Sequence, residues 1–211
     1  ALGLGSAPMK AAAKLRGVVG PQARVLEAGC GSGGFCRALR GAGFKNITAF
    51  DIAEKNVAAA AAHADKVFRG DCEHIEAETG AYDLAVAITV LEHAMEPEAA
   101  VGELFRVLKP GGYVYLTTDN SWWQTLMTLK KFVTPPSRWY NRLAQPIDGD
   151  FTTWEFCRLV SKAGFMPVEL LGIGGVPVGN RLFEWCLGTP TTAHPILKHF
   201  TTRMALLARK P

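Results

Sequence analysis

Short, nearly continuous apolar runs alternate along this chain with segments whose apolar residues recur at helical spacing. "RVLEAG" (24–29) predicts a buried strand, followed by a helix around Phe35–Leu39. "ITAFD" (47–51) predicts a second strand, leading into an alanine-rich helix from Ala53 to about Ala64. "KVFRGD" (66–71) predicts a third, and "YDLAVAITV" (82–90) a fourth, apolar enough for burial on both faces. Ala100, Val101, Leu104, Val107 and Leu108 then share a helical face; "KPGG" (109–112) predicts a sharp stop and "YVYLTT" (113–118) a fifth strand. Strand and helix alternating in this way predict an α/β fold: a doubly wound, Rossmann-like sheet, mostly parallel, with helices on both faces.

After the fifth strand the pattern breaks. Residues 119–150 form a long excursion holding Trp122, Trp123, Trp139, Phe132 and Tyr140, too aromatic for a purely solvated loop. Ser121 with Gln124 resembles a helix-starting capping box, and Thr152 with Glu155 is a second. The second predicts a helix with Phe156, Leu159, Val160 and Ala163 on one face, closed by Gly164. "FMPVELLGI" (165–173) and "RMALLAR" (203–209) predict two last strands as a hairpin, separated by a long excursion containing Gly and Pro. With no internal repeat, the chain reads as one domain over 1–211, and 119–150 as an inserted lid or substrate cap.

Composition narrows the class. The chain is 48% hydrophobic and 20% charged, ordinary for a globular domain with a real core, and it lacks the apolar run a membrane span needs. Its opening, "ALGLGSAPMK", reads as a trimmed start without the features of a targeting peptide. The net charge of +4 comes from scattered Lys and Arg, which gives no clear sign of a nucleic-acid partner. The five cysteines, Cys30, Cys36, Cys72, Cys157 and Cys186, show no C-x-x-C spacing. That argues against a disulfide framework or structural zinc and favours the cytoplasm or another reducing compartment. No His, Asp and Glu cluster calls for a metal, and oligomeric state stays open.

The candidate chemistry begins at "VLEAGCGSGGF" (25–35). Gly29, Gly31 and Gly34 satisfy the dinucleotide pattern G-x-G-x-x-G, a weak match alone. Glu27, Gly29, Gly31 and Gly33 equally satisfy acidic-x-G-x-G-x-G. A pyrophosphate seeks helix N-terminal N–H groups and would be repelled by Glu27. A ligand with an ammonium and a sulfonium, such as S-adenosylmethionine, suits that carboxylate. Asp51, at the end of the second strand, is placed to accept from both ribose hydroxyls. Asp71, followed by Cys72, is placed to accept from an adenine amino group. Three acids at successive strand ends define one adenosyl-shaped site on the carboxyl edge of the sheet.

The chain resembles the class I S-adenosylmethionine-dependent methyltransferases in "VLEAGCGSGGF", "FDIAEKNV", "GDCEHI", "YDLAVAITVLEHAMEP" and "LKPGGYVYLTT", in the family's order and spacing across Val25–Thr118. The resemblance implies a seven-stranded sheet with an antiparallel last strand inserted between the fifth and sixth. "VLEH" with "LKPGG" is similar to the subgroup acting on small molecules such as quinone precursors and sugar or lipid intermediates. The N-P-P-Y tetrapeptide of many nucleic-acid and protein methylating relatives is absent, and "ITVL" stands there.

The resemblance implies S-adenosyl-L-methionine as cofactor, held by Glu27, Gly29, Gly31, Gly33, Asp51 and its neighbour Ile52, and Asp71. It also implies Ile88 and Thr89 as backbone partners of the methionyl part, and Cys30 and Cys72 as small fillers beside the cofactor. His93 lies where the transferred methyl should point, with the imidazole chemistry to deprotonate a hydroxyl or phenol; its bland alternative is a histidine that caps or packs. His63, His74, His194 and His199 read as solvated or structural. Trp122 or Trp123 is expected to wall the small-molecule acceptor's pocket, the alternative being plain core. Lys130, Lys131, Arg138 and Arg142 read as a solvated face unless they turn inward on an acidic group. A non-catalytic methyltransferase-like scaffold, a nicotinamide-dependent oxidoreductase and a nucleic-acid methyltransferase are the rival readings.

Overall fold

The computed structural model describes residues 7–121, 149, 151–173, 191–192, 201 and 203–211. Strands β1 (Arg24–Ala28), β2 (Asn46–Asp51), β3 (Lys66–Arg69), β4 (Tyr82–Ile88), β5 (Leu108–Asp119), β6 (Met166–Ile173), β7 (Thr191–Thr192) and β8 (Arg203–Arg209) form one sheet in the order β3-β2-β1-β4-β5-β8-β6-β7. The first five are mutually parallel, and β8 runs antiparallel between β5 and β6. This is the expected seven-stranded arrangement, extended by the two-residue β7 on the free edge of β6.

The alternation of each strand sends its apolar residues to two cores. Helices α1 (Ala7–Val19), α2 (Gly34–Gly41) and α3 (Glu54–Ala60) lie on one face, where Leu15, Leu39 and Ala60 bury with Val25, Leu84, Val86, Tyr115 and Leu207. Helices α4 (Pro97–Val107) and α5 (Thr153–Lys162) cover the other, where Leu104, Val107, Phe156 and Val160 meet Leu26, Ala85, Val114, Leu116 and Leu206. The Thr152–Glu155 capping box forms as expected: the Glu155 amide donates to Thr152 Oγ1 at 3.2 Å and the Thr152 amide to Glu155 Oε2 at 2.8 Å.

Three elements differ from the pattern reading. Helix α1 was not expected; its apolar stripe is mostly alanine, with Ala12 and Leu15 its fully buried residues, so its periodicity is faint. Helix α3 ends at Ala60 rather than Ala64, giving way to turns before β3. "KPGG" does not stop a helix and start a strand: β5 begins at Leu108, and the glycines sit in an irregularity of its pairing with β4 between Tyr82 and Leu84. Ser121 is helical, while Gln124, its proposed capping partner, lies outside the described residues.

Candidate functional site

A cleft of about 630 Å³ opens at the carboxyl ends of β1, β2 and β4. Glu27, Gly29, Cys30, Gly31, Asp51 and Ile52 line it, and so do Asp71, Cys72, Ile88, Thr89 and His93. The structure thus brings together every expected cofactor contact except Gly33.

The glycine turn explains that exception. Gly29, Gly31 and Gly33 all have positive φ (65°, 52° and 80°), a region where L-residues are strained. A Cβ on Gly33 would sit 2.9 Å from Ala60 Cα, so this glycine serves the close approach of α3 rather than the cleft. A Cβ on Gly29 would meet Val90 Cγ2 at 2.5 Å. On Gly31 it would meet no atom within 4 Å; it would project into open space. Of these three, Gly31 is therefore the one whose missing side chain keeps room for a ligand.

Glu27, on the last turn of β1 into this loop, is 2% exposed. Burial lifts its carboxyl to about 7, against a partial opposing effect of a hydrogen bond with the Cys36 thiol. Among the described residues its Oε2 has no hydrogen-bond partner. An orphaned carboxylate oxygen in a nearly dry site is costly unless a cation or donor meets it. A ligand ammonium would.

Asp51 is more heavily engaged than its role on ribose would require. Its Oδ2 accepts from the Gly31 amide at 2.8 Å, and its Oδ1 from the Ala53 amide at 2.9 Å and Asn56 Nδ2 at 3.0 Å. A carboxylate offers about four acceptor positions, so the one left is on Oδ2, beside Gly31. Asp51 thus anchors the glycine loop as well as facing the cleft. Asp71 lies two residues past the end of β3, exposed, with Oδ1 accepting from the Glu73 amide at 2.9 Å. Ile52 presents its side chain to solvent at 63% exposure, an apolar plate beside Asp51.

Thr89 adopts φ 54°, unusual for a β-branched residue and a sign of a constrained turn. Its amide donates to the Thr117 carbonyl at 3.0 Å and its hydroxyl to the Ile88 carbonyl at 2.7 Å. The Thr89 N–H is therefore spent within the sheet, which leaves carbonyl oxygen as the backbone group to meet a ligand. Burial first, then nearby carboxylates, push the Cys30 and Cys72 thiols up to about 12, which suits fillers and not nucleophiles. His93 is exposed in the 3-10 turn Leu91–His93, on the cleft's rim.

Sequence reasoning missed four contributors. Asn56 braces Asp51 from one turn into α3, a spacing visible in "DIAEKN". Glu73 reaches across the cleft's rim, its Oε1 accepting from the Met95 and Glu96 amides at 2.6 and 3.1 Å. Phe35 supplies an aromatic wall and stacks on Tyr115 with centroids 6.3 Å apart. Glu92 is buried beside the cleft; burial lifts its carboxyl to about 7, while Thr118 Oγ1 donates to it at 3.3 Å.

Both ends of the 119–150 excursion are fixed at this edge. Asp119 pairs with Arg203 at 3.1 Å, the Ser121 amide donates to the Phe151 carbonyl at 3.0 Å, and the Gly149 amide donates to the Glu92 carbonyl at 2.7 Å. Trp122, Trp123, Trp139, Lys130, Lys131, Arg138 and Arg142 lie outside the described residues, as do His194, His199 and Cys186. Among the described residues, no group of three or more His, Cys, Asp or Glu is placed to hold a metal. No helix among them is long and apolar enough to cross a membrane.

A sheet in this order, with acids at successive strand ends around one cleft, defines a class I S-adenosylmethionine-dependent methyltransferase. The chain matches the family model described as "Methyltransferase domain" over residues 7–170 and belongs to that family. It is 28% identical over 173 residues to the ubiquinone biosynthesis O-methyltransferase of Psychrobacter arcticus, an alignment covering 75% of this chain and 65% of that relative's length. It is 34% identical over 97 residues to the malonyl-[acyl-carrier protein] O-methyltransferase of Pectobacterium atrosepticum, covering 45% of this chain and 38% of that one. In fold it is similar to a SAM-dependent methyltransferase from Thermotoga maritima, described as a possible histamine N-methyltransferase, with a TM-score of 0.70, 19% identity, and coverage of 96% of this chain and 89% of that one. Family and fold imply S-adenosylmethionine as the cofactor.

Proposed function

We propose that this chain transfers a methyl group from S-adenosylmethionine to a nucleophilic O, N or C of a small molecule, with a hydroxyl oxygen first among these. The observation that carries the reading is Glu27 Oε2, buried and without a partner among the described residues, in the same cleft as the open space over Gly31. An ammonium fits the first and an adenosyl group the second. A pyrophosphate fits neither, since Glu27 would repel it. The names of two relatives, both O-methyltransferases, support putting oxygen first.

When bound, S-adenosylmethionine supplies an electrophilic sulfonium methyl. Everything else falls to the chain's own residues. Glu27 holds the ammonium, and Asp51 offers its remaining Oδ2 position to the ribose while fixing the Gly31 turn. Asp71 offers its carboxylate to the adenine amino group, with Ile52 against the ring. His93, on the rim, takes the proton from the acceptor hydroxyl at Nε2 or Nδ1. Holding acceptor and methyl in line and excluding water can supply roughly 7–11 kcal/mol of the barrier.

Incubation with S-adenosylmethionine and a panel of hydroxybenzoates and polyols, read as S-adenosylhomocysteine release, tests the reading. Turnover of a hydroxylated acceptor supports it, with His93→Gln expected to lose about 10²–10⁴-fold in rate while keeping cofactor affinity. Failure of the wild-type chain to bind S-adenosylhomocysteine would overturn it.

A further inference from the structure

A second cavity of about 360 Å³ lies between α1 and the β5-β8-β6 part of the sheet. Phe35 and Ile88 line both this cavity and the cofactor cleft, so the two spaces adjoin at these side chains. Ile88 ends β4, where the methionyl part of the cofactor is expected. The rest of the lining is largely apolar, with Leu15 and Ala11 from α1, Leu171 and Ile173 from β6, and Ala205 and Leu207 from β8. Tyr115, whose hydroxyl is held well above the ordinary phenol range by burial and then by Glu169, stacks on Phe35 at its inner end. The space opens to solvent on one side and adjoins the cofactor cleft on the other, a concave and largely apolar setting that suits a small-molecule ligand.

Its charge is one-sided. Lys10, Lys14 and Arg203 line it against the single carboxylate of Glu169. Lys14 is paired with Glu169 and Arg203 with Asp119, whereas Lys10 has no ion pair among the described residues. Lys10 stands in the first turn of α1, a turn that carries no acidic residue, so the helix's positive end adds to it.

We propose that this cavity is the acceptor site, and that the acceptor is an apolar molecule of ring or chain character bearing one anionic group, a carboxylate or phosphate. The apolar body fills the space between α1 and β6, the anion meets Lys10, and the nucleophile lies beside Ile88 and Phe35, where cavity and cleft adjoin. This assignment rests on the methyltransferase reading above.

The test uses the full chain saturated with S-adenosylhomocysteine, and two probes: 1-anilinonaphthalene-8-sulfonate, an apolar anion, and N-phenyl-1-naphthylamine, its uncharged twin. The sulfonate should bind one-to-one together with S-adenosylhomocysteine. Ala11→Phe and Leu171→Trp, both at half-buried positions that fill the cavity, should each weaken the probe at least tenfold and leave S-adenosylhomocysteine affinity within twofold. That retained affinity also shows each variant is folded, and either variant suffices. Lys10→Gln should weaken the sulfonate several-fold and leave the uncharged probe unchanged. Displacement of the sulfonate by S-adenosylhomocysteine, or full probe affinity in a folded cavity-filling variant, overturns the assignment. Equal effects of Lys10→Gln on both probes overturn its anionic part. Loss of S-adenosylhomocysteine binding in the wild-type chain would instead overturn the methyltransferase reading itself.

Discussion

The Gly31 amide donates to Asp51 Oδ2 at 2.8 Å, tying the glycine turn after β1 to the end of β2. One carboxylate thereby shapes the loop and presents its last acceptor position to the cleft. Asp51→Ala should weaken S-adenosylhomocysteine binding by about 1–3 kcal/mol, the range for a charge-assisted hydrogen bond and the loop order it maintains. Calorimetric titration reads this directly, and unchanged affinity would remove Asp51 from the site.

Gly31→Val should abolish cofactor binding in a protein that still folds. The new side chain would stand in the open space of the cleft, at φ 52°, where a β-branched residue is also strained. A thermal melt shows whether the fold survives, and titration whether the ligand still binds. Normal binding by the variant would place the cofactor elsewhere.

The 119–150 segment leaves and rejoins the sheet beside Glu92, at the edge that carries the cleft. From its aromatic content and its two anchored ends we propose that it acts as a lid over the acceptor; Trp122 and Trp123 themselves lie outside the described residues. Such lids are drawn from the less stable parts of a fold. Hydrogen exchange protection across 121–142 should rise on binding cofactor and acceptor. The double variant Trp122→Ala, Trp123→Ala should lose turnover at unchanged cofactor affinity. Equal protection with and without ligands would rule out the lid.

Much of this was legible in the sequence because each clue was local. An acid at or within two residues of a strand's end falls on the carboxyl edge whatever the rest of the chain does, which is why Glu27, Asp51 and Asp71 are legible and share one cleft. The antiparallel insertion of β8 came from the family resemblance and not from the pattern. What stayed hidden depends on neighbours distant in sequence. Gly29 and Gly33 answer to Val90 and Ala60, a packing constraint that no motif spells out. Glu73 bridges to Met95 only because two loops meet across the cleft's rim. Helix α1 hid behind alanines, and with it the cavity it roofs.

Stability of the ligand-free protein should fall as pH rises from about 4.5 to 7. Glu27 and Glu92 both have carboxyls lifted by burial to about 7. Across that window the unfolded chain has released their protons while the folded chain still binds them, so raising pH favours unfolding; above pH 7 these two contribute no further slope. Melting temperatures of Glu27→Gln should show a shallower decline than wild type over that window. An identical decline would mean that Glu27 does not titrate there.

The central claim is that the orphaned oxygen of Glu27 receives the ammonium of S-adenosylmethionine. Its most direct test is calorimetric titration of S-adenosylhomocysteine at pH 6, in buffers of different ionisation enthalpy, for wild type and Glu27→Gln. With its carboxyl near 7, Glu27 is mostly protonated at pH 6 in the free protein, and an arriving ammonium favours the ionised form. The account predicts that wild-type binding releases most of one proton and tightens as pH rises toward 7. Glu27→Gln should release none and bind at least tenfold more weakly. Equal affinity and equal proton release in the two proteins would contradict it.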